Sequence, residues 1–227
     1  MDTARTKEPQ YQVCLDVARE RGLERLGLRS SESWHEDPKH LLFRLARYKF
    51  VAKMLAGRNH VLEIGCGDAF GTRIVQAEVG KLTAIDFDLA FVEDVKQRMV
   101  PRWYFDVHVH DMLDGPVPGN FDALYALDVL EHIDCSKEEI FLENACTSLV
   151  LHGTAIIGIP SLESQPYASP QSKAGHINCK SAADLRKLME RFFHNVFMFS
   201  MNDEVVHTGY HKMAHYLIAI GAGKRGE

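Results

Sequence analysis

Carboxylate and imidazole side chains are concentrated in one short stretch, Asp128-Val129-Leu130-Glu131-His132. The spacing i, i+3, i+4 places Asp128, Glu131 and His132 on one face of a helical turn. Side chains of these types can accept a proton or bind a divalent metal ion. A further imidazole, His176, follows in a long segment rich in Ser, Pro, Gln and Gly, from Pro160 to Lys180. Connections of this length are often functional.

A glycine-rich turn lies upstream, where the apolar run Val61 to Ile64 ends at Gly65-Cys66-Gly67. Without side chains, Gly65 and Gly67 let the backbone turn sharply and let a ligand lie against the peptide. A second apolar run ends at Asp86, 21 residues after Gly65. An acidic side chain at this place can accept hydrogen bonds from ribose hydroxyls. The pattern predicts a nucleoside-binding βαβ unit.

The charge and spacing of this turn favour one nucleoside cofactor over another. The glycines stand at Gly65, Gly67 and Gly71, one residue longer than the G-x-G-x-x-G dinucleotide fingerprint. The carboxylates of Glu63 and Asp68 would repel a pyrophosphate. S-adenosylmethionine (SAM) has an ammonium, a sulfonium and no phosphate, so a SAM site is preferred over a nicotinamide-dependent dehydrogenase.

The stretch from Glu63 to Gly71 resembles the first motif of the class I SAM-dependent methyltransferases, with the last glycine displaced. The resemblance extends by motif over residues 40–160. It implies an acidic contact from Asp111 to the adenine amino group, an apolar contact from Met112, and Asp128 near the reacting methyl. The implied cofactor-binding residues are Glu63, Gly65, Cys66, Gly67, Asp86, Phe87, Asp111, Met112 and Asp128.

The Asp128 to His132 element is similar to the E-x-x-E-H element of ubiquinone-biosynthesis O-methyltransferases and plant small-RNA 2′-O-methyltransferases. That resemblance implies a divalent metal, Mg²⁺ or Mn²⁺, held by Asp128, Glu131, His132 and His176. Asp128 is shorter than the Glu of those families. The alternative is that Leu130-Glu131-His132 packs the turn without a metal, as in many relatives.

The resulting hypothesis is a methyltransferase that acts on a small molecule, at a hydroxyl oxygen. Methyl transfer needs the nucleophile, methyl carbon and sulfur in line, and a hydroxyl nucleophile also benefits from a base. The candidate catalytic residues are His176 as base, then His132, with Asp128; His207 and His211 are further candidates. The alternatives are N-methylation, with an amine oriented by Asp128 or Glu131, and a non-catalytic SAM-binding module.

The elements that position these residues alternate between strand and helix. Strands are expected at 60–64, 81–86, 103–109, 121–127, 154–159, 196–199 and 214–220, with helices at 72–78, 89–99, 136–151 and 181–193. Ser136, with Glu139 three residues on, begins a capping box, and Ser181 with Asp184 is expected to cap the next helix. This order predicts an α/β, Rossmann-like, doubly wound and mostly parallel seven-stranded sheet with helices on both faces. Residues 221–227 are expected to form a loose tail.

The N-terminal part, residues 1–56, is predicted to form a helical lid on a SAM-binding domain of residues 57–227. A helix is expected over 11–28, a loop over 29–36, and a second helix that begins at Asp37-Pro38 and ends before Gly57. In the resembling family, such helices often cover the cofactor, so Trp34 and Tyr48 are candidates to border the site, although packing alone would explain both.

Composition narrows the partners and the location of this chain. The net charge of −5 without basic runs argues against nucleic acid, and a small-molecule acceptor is expected instead. The five cysteines are irregularly spaced, which is typical of reduced thiols. No apolar stretch approaches ~20 residues and the N-terminus lacks a signal-peptide core. These features predict a cytoplasmic protein without a membrane contact.

Overall fold

The computed structural model describes residues 4–226, which contain one eight-stranded sheet. Its strands are β1 His60–Ile64, β2 Lys81–Asp86, β3 Asp106–Val109, β4 Phe121–Leu127, β5 Leu149–Pro160, β6 Phe193–Asn202, β7 Val205–His207 and β8 Tyr216–Lys224. The spatial order is β3-β2-β1-β4-β5-β8-β6-β7. The first five strands are parallel, whereas β8 is antiparallel to β5 and to β6. The α/β, mostly parallel prediction is confirmed.

Eight α-helices lie among the described residues. They are α1 Gln12–Arg21, α2 Leu28–Glu36, α3 Pro38–Met54, α4 Thr72–Gln76, α5 Leu89–Arg98, α6 Glu138–Ser148, α7 Pro170–Gly175 and α8 Ala182–Met189. Asp37 caps α3 by accepting a hydrogen bond from the Lys39 N–H, and Ser181 caps α8 through the Asp184 N–H. Both expected helix starts are confirmed. None of the helices in residues 4–226 is long and apolar enough to cross a membrane.

The core lies on both faces of the sheet, because successive strand residues point to opposite sides. Leu62 and Ile64 pack with α6 and α8 on one face. Val61 packs with α3, α4 and α5 on the other, where Val51 of α3 is fully buried. The helix α3 is therefore part of the main core. A boundary at residues 56/57 remains a prediction, and residues 1–3 and 227 lie outside the described part.

Several sequence-based boundaries were wrong for physical reasons. An eighth strand exists because β6 runs to Asn202 and turns through Asp203 into β7. The helix α6 begins at Glu138 rather than at Ser136, whose backbone N–H and hydroxyl both donate to Asp134. The strand β8 continues to Lys224, where a tail was expected, and the Lys224 ammonium donates to the carbonyl of Cys146.

The expected loop over 29–36 is instead the helix α2. Its sequence has no clear apolar stripe, so the helix depends on contacts with the rest of the chain. The Ser30 N–H donates to the Asp68 carboxylate at 2.6 Å, and the Arg44 guanidinium donates to the Ser30 hydroxyl at 2.9 Å. These long-range bonds fix a segment that local sequence leaves undecided.

Candidate functional site

A cavity of about 530 Å³ opens at the carboxyl ends of the parallel strands. The strands β2 and β4 lie on opposite sides of β1, so the direction in which successive strands are added to the sheet reverses beside β1. Ligands of open α/β sheets bind at such reversal points. The cavity is lined by residues that follow β1 to β4 and by one residue of α2: Arg29, Gly65, Gly67, Asp86, Phe87, Asp88, His110, Asp111, Met112, Leu113, Asp128, Val129, His132, Ile133, Asp134 and Lys137, with Ile64, Phe91, Phe141 and Ile177.

The glycine turn forms the floor of this cavity. Gly65 and Gly67 have φ values of +71° and +53°, which favour glycine. A Cβ on Gly65 would lie 2.4 Å from a methyl of Val129, so a side chain has no room there. Asp86 holds the turn by accepting hydrogen bonds from the Gly67 N–H at 2.7 Å and the Asp88 N–H at 2.9 Å.

Two residues implied as cofactor contacts, Glu63 and Cys66, lie in the core behind the turn and are not among the cavity-lining residues. The Glu63 carboxylate accepts a hydrogen bond from the Tyr48 hydroxyl at 3.1 Å. Burial raises the pKa of Glu63 to about 7, and burial likewise raises the pKa of the Cys66 thiol. Tyr48 therefore acts beneath the turn, whereas Trp34, which is 54% exposed, lies on the surface.

Asp68, interpreted from sequence as a carboxylate for a cationic ligand, is engaged with backbone donors. It is buried and accepts hydrogen bonds from the N–H groups of Ser30 and Phe70. Gly27 lies so close that a Cβ there would be 2.3 Å from the Asp68 Cβ. Asp68 thus joins the glycine turn to the start of α2 and does not line the cavity.

The ends of β2 and β3 supply the side of the cavity expected to hold the adenine. Phe87 is 74% exposed, and Met112 is buried. The Asp111 carboxylate accepts a hydrogen bond from the Leu113 N–H at 2.8 Å, and Asn144 fixes the Met112 carbonyl. The structure therefore brings Phe87, Asp111 and Met112 to the same cavity as the glycine turn.

Asp128 follows β4 with a φ of +58°, in the left-handed region that few residues other than glycine adopt. Both carboxylate oxygens lie 2.7 Å from Nη1 of Arg47 on α3. The Arg47 guanidinium also stacks 3.6 Å from the ring centre of Tyr216. Burial is the largest influence on Asp128 and opposes its ionisation, but the charges of Arg47 and Arg29 and the hydrogen bonds to the carboxylate together outweigh it, so the pKa of Asp128 falls below its ordinary value.

Three of the four predicted metal ligands lie together. Candidate ligand atoms of Glu131, His132 and His176 all lie within 4.8 Å of one another. Both Glu131 carboxylate oxygens are buried without a hydrogen-bond partner among the described residues. Burial, followed by the nearby charge of Asp128, raises the pKa of Glu131 well above its ordinary value. Asp128 itself is engaged by Arg47 and is not one of the three.

Hydrogen bonds orient the two imidazoles. His132 Nδ1 lies 2.8 Å from the Gly175 carbonyl, and His176 Nδ1 lies 3.0 Å from the Gln165 amide oxygen. Because both partners accept, each Nδ1 donates and each Nε2 keeps a lone pair. Burial is the main cause of the lowered pKa of His176. His207 and His211 are engaged elsewhere, with Asn202 and Ser200.

Sequence reasoning missed Arg29, Arg47 and Lys137. Arg29 and Lys137 line the cavity, and Arg47 pairs with Asp128. The sequence does contain a pattern that points to Arg47. It stands four residues before Val51 and eight before Leu55, so it lies on the same helix face as two apolar residues, and both of these are fully buried. An arginine on a buried stripe indicates an internal carboxylate partner.

A protein-family model matches the part of the chain that carries this cavity. Residues 61–153, which include the glycine turn and the ends of β1 to β4, match the family model of a methyltransferase domain. Over these residues the chain is similar to methyltransferase domains. The resemblance to SAM-dependent methyltransferases is confirmed for these residues.

One curated relative comes from Mycolicibacterium smegmatis and is described as a probable S-adenosylmethionine-dependent methyltransferase. It is 26% identical over 145 residues, which are 63% of this chain and 54% of the relative. The chain therefore spans about half the length of the curated relative that it matches.

Solved structures share the fold at low sequence identity. The N-methyltransferase NodS from Bradyrhizobium japonicum, with S-adenosyl-L-homocysteine, has a TM-score of 0.62 at 17% identity and covers 84% of this chain and 90% of its own. A Haloferax volcanii chain, from a complex between the Trm112 methyltransferase activator and a methyltransferase, has a TM-score of 0.68 at 13% identity and covers 98% and 100%. At these identities the likeness concerns the fold alone.

Proposed function

We propose that this protein transfers the methyl group of SAM to a hydroxyl oxygen of a small-molecule acceptor. The observation that carries the proposal is the cavity of about 530 Å³ in which the glycine turn, Asp86, Asp111 and Asp128 meet at four strand ends. The matched methyltransferase family and the SAM-dependent relative support the choice of cofactor.

The residues present fit SAM. The cavity floor is bare backbone at Gly65 and Gly67, so the ligand can lie against the peptide. Acidic side chains at the ends of β2, β3 and β4 suit the ribose hydroxyls, the adenine amino group and the cationic methionine end. SAM supplies a methyl on a sulfonium, and the protein holds it in line with the acceptor.

The two imidazoles are suited to take the proton of a hydroxyl acceptor. Each presents a lone pair at Nε2, and a lowered pKa keeps His176 neutral at pH 7. We assign His176 the role of base because it lies on the long segment after β5, with His132 beside it at a ring-centre distance of 5.4 Å.

A divalent metal is the alternative form of the proposal, with Glu131, His132 and His176 as its ligands. In that case Nε2 of His176 binds the metal and does not act as the base. The unpartnered buried carboxylate of Glu131 fits this role, because a buried charge requires a counter-ion or protonation. A bound cation would lower the pKa of an acceptor hydroxyl. Asp128, predicted from sequence as a ligand, is omitted from the proposed set because Arg47 occupies both of its oxygens.

Calorimetric titration with S-adenosylhomocysteine tests the cofactor. Chelator-treated protein is titrated alone and then with Mg²⁺ or Mn²⁺, beside metal analysis of untreated protein. We expect binding of about one equivalent, and the absence of binding in every state would refute the proposal. The change His176→Ala should remove metal-dependent binding, whereas His152→Ala, at an exposed histidine of β5, should not.

Transfer itself is tested with methyl-labelled SAM and parallel sets of hydroxyl and amine acceptors. O-methylation that is lost in His176→Ala and kept in His152→Ala supports the assignment. Transfer to amines alone favours N-methylation, for which Asp128 and Glu131 would orient the acceptor. Cofactor binding without transfer to either class favours a SAM-binding module.

A further inference from the structure

A second cavity, of about 430 Å³, shares no lining residue with the cavity at the strand ends. It is lined by the segment between α1 and α2, by α3 and α4, by the end of α5 and by Trp103, which precedes β3. Cavities of this size hold small organic molecules. Methyl transfer at the strand ends makes no use of this second cavity.

One wall of the second cavity is apolar and includes two aromatic rings. The side chains of Phe70, Ile74 and Trp103 are all partly exposed there, and Ile74 packs against the core formed by α3, α4 and the sheet. The Gln76 amide of α4 fixes the chain at Trp103 by donating to the following carbonyl, of Tyr104, at 2.6 Å. Two aromatic side chains held in this way give a planar ring a surface to pack on.

The rest of the lining is rich in arginine. Arg25, Arg73 and Arg98 line the cavity, together with the carboxylate of Glu24. Glu24 pairs with Arg73 at 3.0 Å, and Asp94 pairs with Arg98 at 2.6 Å. Arg25 has no ion pair or hydrogen bond among residues 4–226. The lining therefore carries a positive charge that the described part of the protein does not balance.

The arginines are positioned by the fold. Arg98 is only 12% exposed, and its guanidinium donates to the Asp68 carbonyl as well as to its partner carboxylate. The segment that carries Arg25 is fastened on both sides, because Glu24 pairs with α4 and Gly27 packs against Asp68. Positive charge is therefore held beside the apolar wall.

We propose that the second cavity is a further ligand site, and that its ligand is a small organic anion in which a planar ring is joined to a phosphate or carboxylate group. Guanidinium groups bind both kinds of oxyanion through paired, charge-assisted hydrogen bonds. The ring packs against Phe70 and Trp103, while the anionic group binds Arg25. This site does not depend on the proposed methyl transfer, because its ligand lies outside the cavity at the strand ends.

Calorimetric titration with 1-naphthyl phosphate and with 1-naphthoate tests the site, beside two partial ligands, 1-naphthol and inorganic phosphate. Wild type is compared with Arg25→Gln and Trp103→Leu. One control, Arg102→Gln, removes a guanidinium that lies 5.3 Å from the centre of the same Trp103 ring but does not line the cavity. A second control, Lys137→Gln, removes a cation from the cavity at the strand ends.

We expect about one equivalent of at least one naphthyl anion to bind wild type, and the tighter of the two identifies the anionic group. 1-Naphthol and inorganic phosphate should each bind at least ~10-fold more weakly, because each lacks the ring or the anion. Arg25→Gln should weaken binding at least ~5-fold, since charge-assisted hydrogen bonds are lost. Trp103→Leu should weaken it about 3-fold or more through lost ring packing. Both controls should match wild type.

Absence of binding by both naphthyl anions would overturn the proposal. Equal binding of 1-naphthol or of inorganic phosphate would also overturn it, as would unchanged affinity in Arg25→Gln, the variant at an exposed residue that should fold normally. A loss of binding in Lys137→Gln but not in Arg25→Gln would place the probe in the cavity at the strand ends and would likewise refute the second site.

Discussion

Removal of Arg47 should destabilise the protein strongly, and most of all at high pH. Arg47 and Asp128 lie 2.7 Å apart with side-chain exposures of 7% and 13%. In Arg47→Met the hydrophobic stem is kept, but Asp128 remains buried beside Glu131 without its cation. Breaking a buried pair in this way costs about 3–5 kcal/mol of unfolding free energy. For a chain of this size that corresponds to a fall in Tm of roughly 6–20 °C.

The pH dependence follows from the sign of the pKa shifts. In wild type the pKa of Asp128 is lowered, so its contribution to stability is present above the unfolded pKa and is lost as the pH falls through the folded pKa. Without Arg47, burial and Glu131 would instead raise the pKa of Asp128 above the unfolded value. The deficit of the variant should then shrink as the pH is lowered from 8 towards 5.

Thermal and urea unfolding, followed by circular dichroism at several pH values, measure this effect. The matched control is Arg73→Met, because Arg73 also has an ion pair, with Glu24, and an aromatic neighbour, Trp103, but at the surface. Exposed pairs contribute about 0–1 kcal/mol. If Arg47→Met lost no more stability than Arg73→Met, or its deficit did not depend on pH, the buried pair would not have the role inferred from its geometry.

Three further predictions concern the turn and the buried carboxylates. In Glu63→Gln, stability should fall less from pH 5 to pH 8 than in wild type, by up to about 3 kcal/mol. The folded pKa of about 7 lies above the unfolded pKa of Glu63, so wild type loses stability as the pH rises through this range. Urea unfolding across the range measures the difference, and parallel pH curves for the two proteins would contradict the prediction. Gly65→Ala should abolish S-adenosylhomocysteine binding and lower Tm, because its Cβ would lie 2.4 Å from a methyl of Val129. A Cβ on Gly67 meets no atom within 4 Å, so Gly67→Ala should lower Tm less than Gly65→Ala does. Equal losses of Tm in the two variants would refute this prediction. Glu131→Gln should remove Mn²⁺ binding, measured by metal analysis after dialysis, and retained metal would exclude Glu131 as a ligand. Without metal the change should leave or raise Tm, since it replaces a buried carboxylate that has no hydrogen-bond partner among residues 4–226.

The strands that carry the site could be read from the sequence because each is a short apolar run ending in glycine or a carboxylate. The predicted bounds of β1, β2 and β4 agree with the structure. A residue that follows a parallel strand necessarily lies at the carboxyl edge of the sheet. For this reason Gly65, Asp86, Asp111 and Asp128 could be assigned to one cavity without any knowledge of side-chain contacts.

What the sequence could not supply were pairings between distant segments. Asp68 binds a backbone N–H 38 residues earlier, and Asp128 pairs with Arg47 81 residues earlier. Contacts between residues so far apart in sequence leave no pattern in the local sequence. For this reason Asp68 was wrongly interpreted as a ligand group and α2 was wrongly predicted to be a loop. Glu63 shows the same limit, because its neighbour Tyr48 comes from a separate helix.

The segment between β5 and α8 is fastened at its two ends. The Ile177 and Asn178 N–H groups donate to the Glu131 carbonyl, and the Leu162 N–H donates to the Lys180 carbonyl. Lengthening a loop whose ends are already closed costs little, about 0.6 kcal/mol per doubling. Insertions near the exposed Tyr167 should therefore be tolerated while His176, next to the fixed end, keeps its place. This arrangement would let related proteins exchange the part of the chain that meets the acceptor without rebuilding the groups beside it.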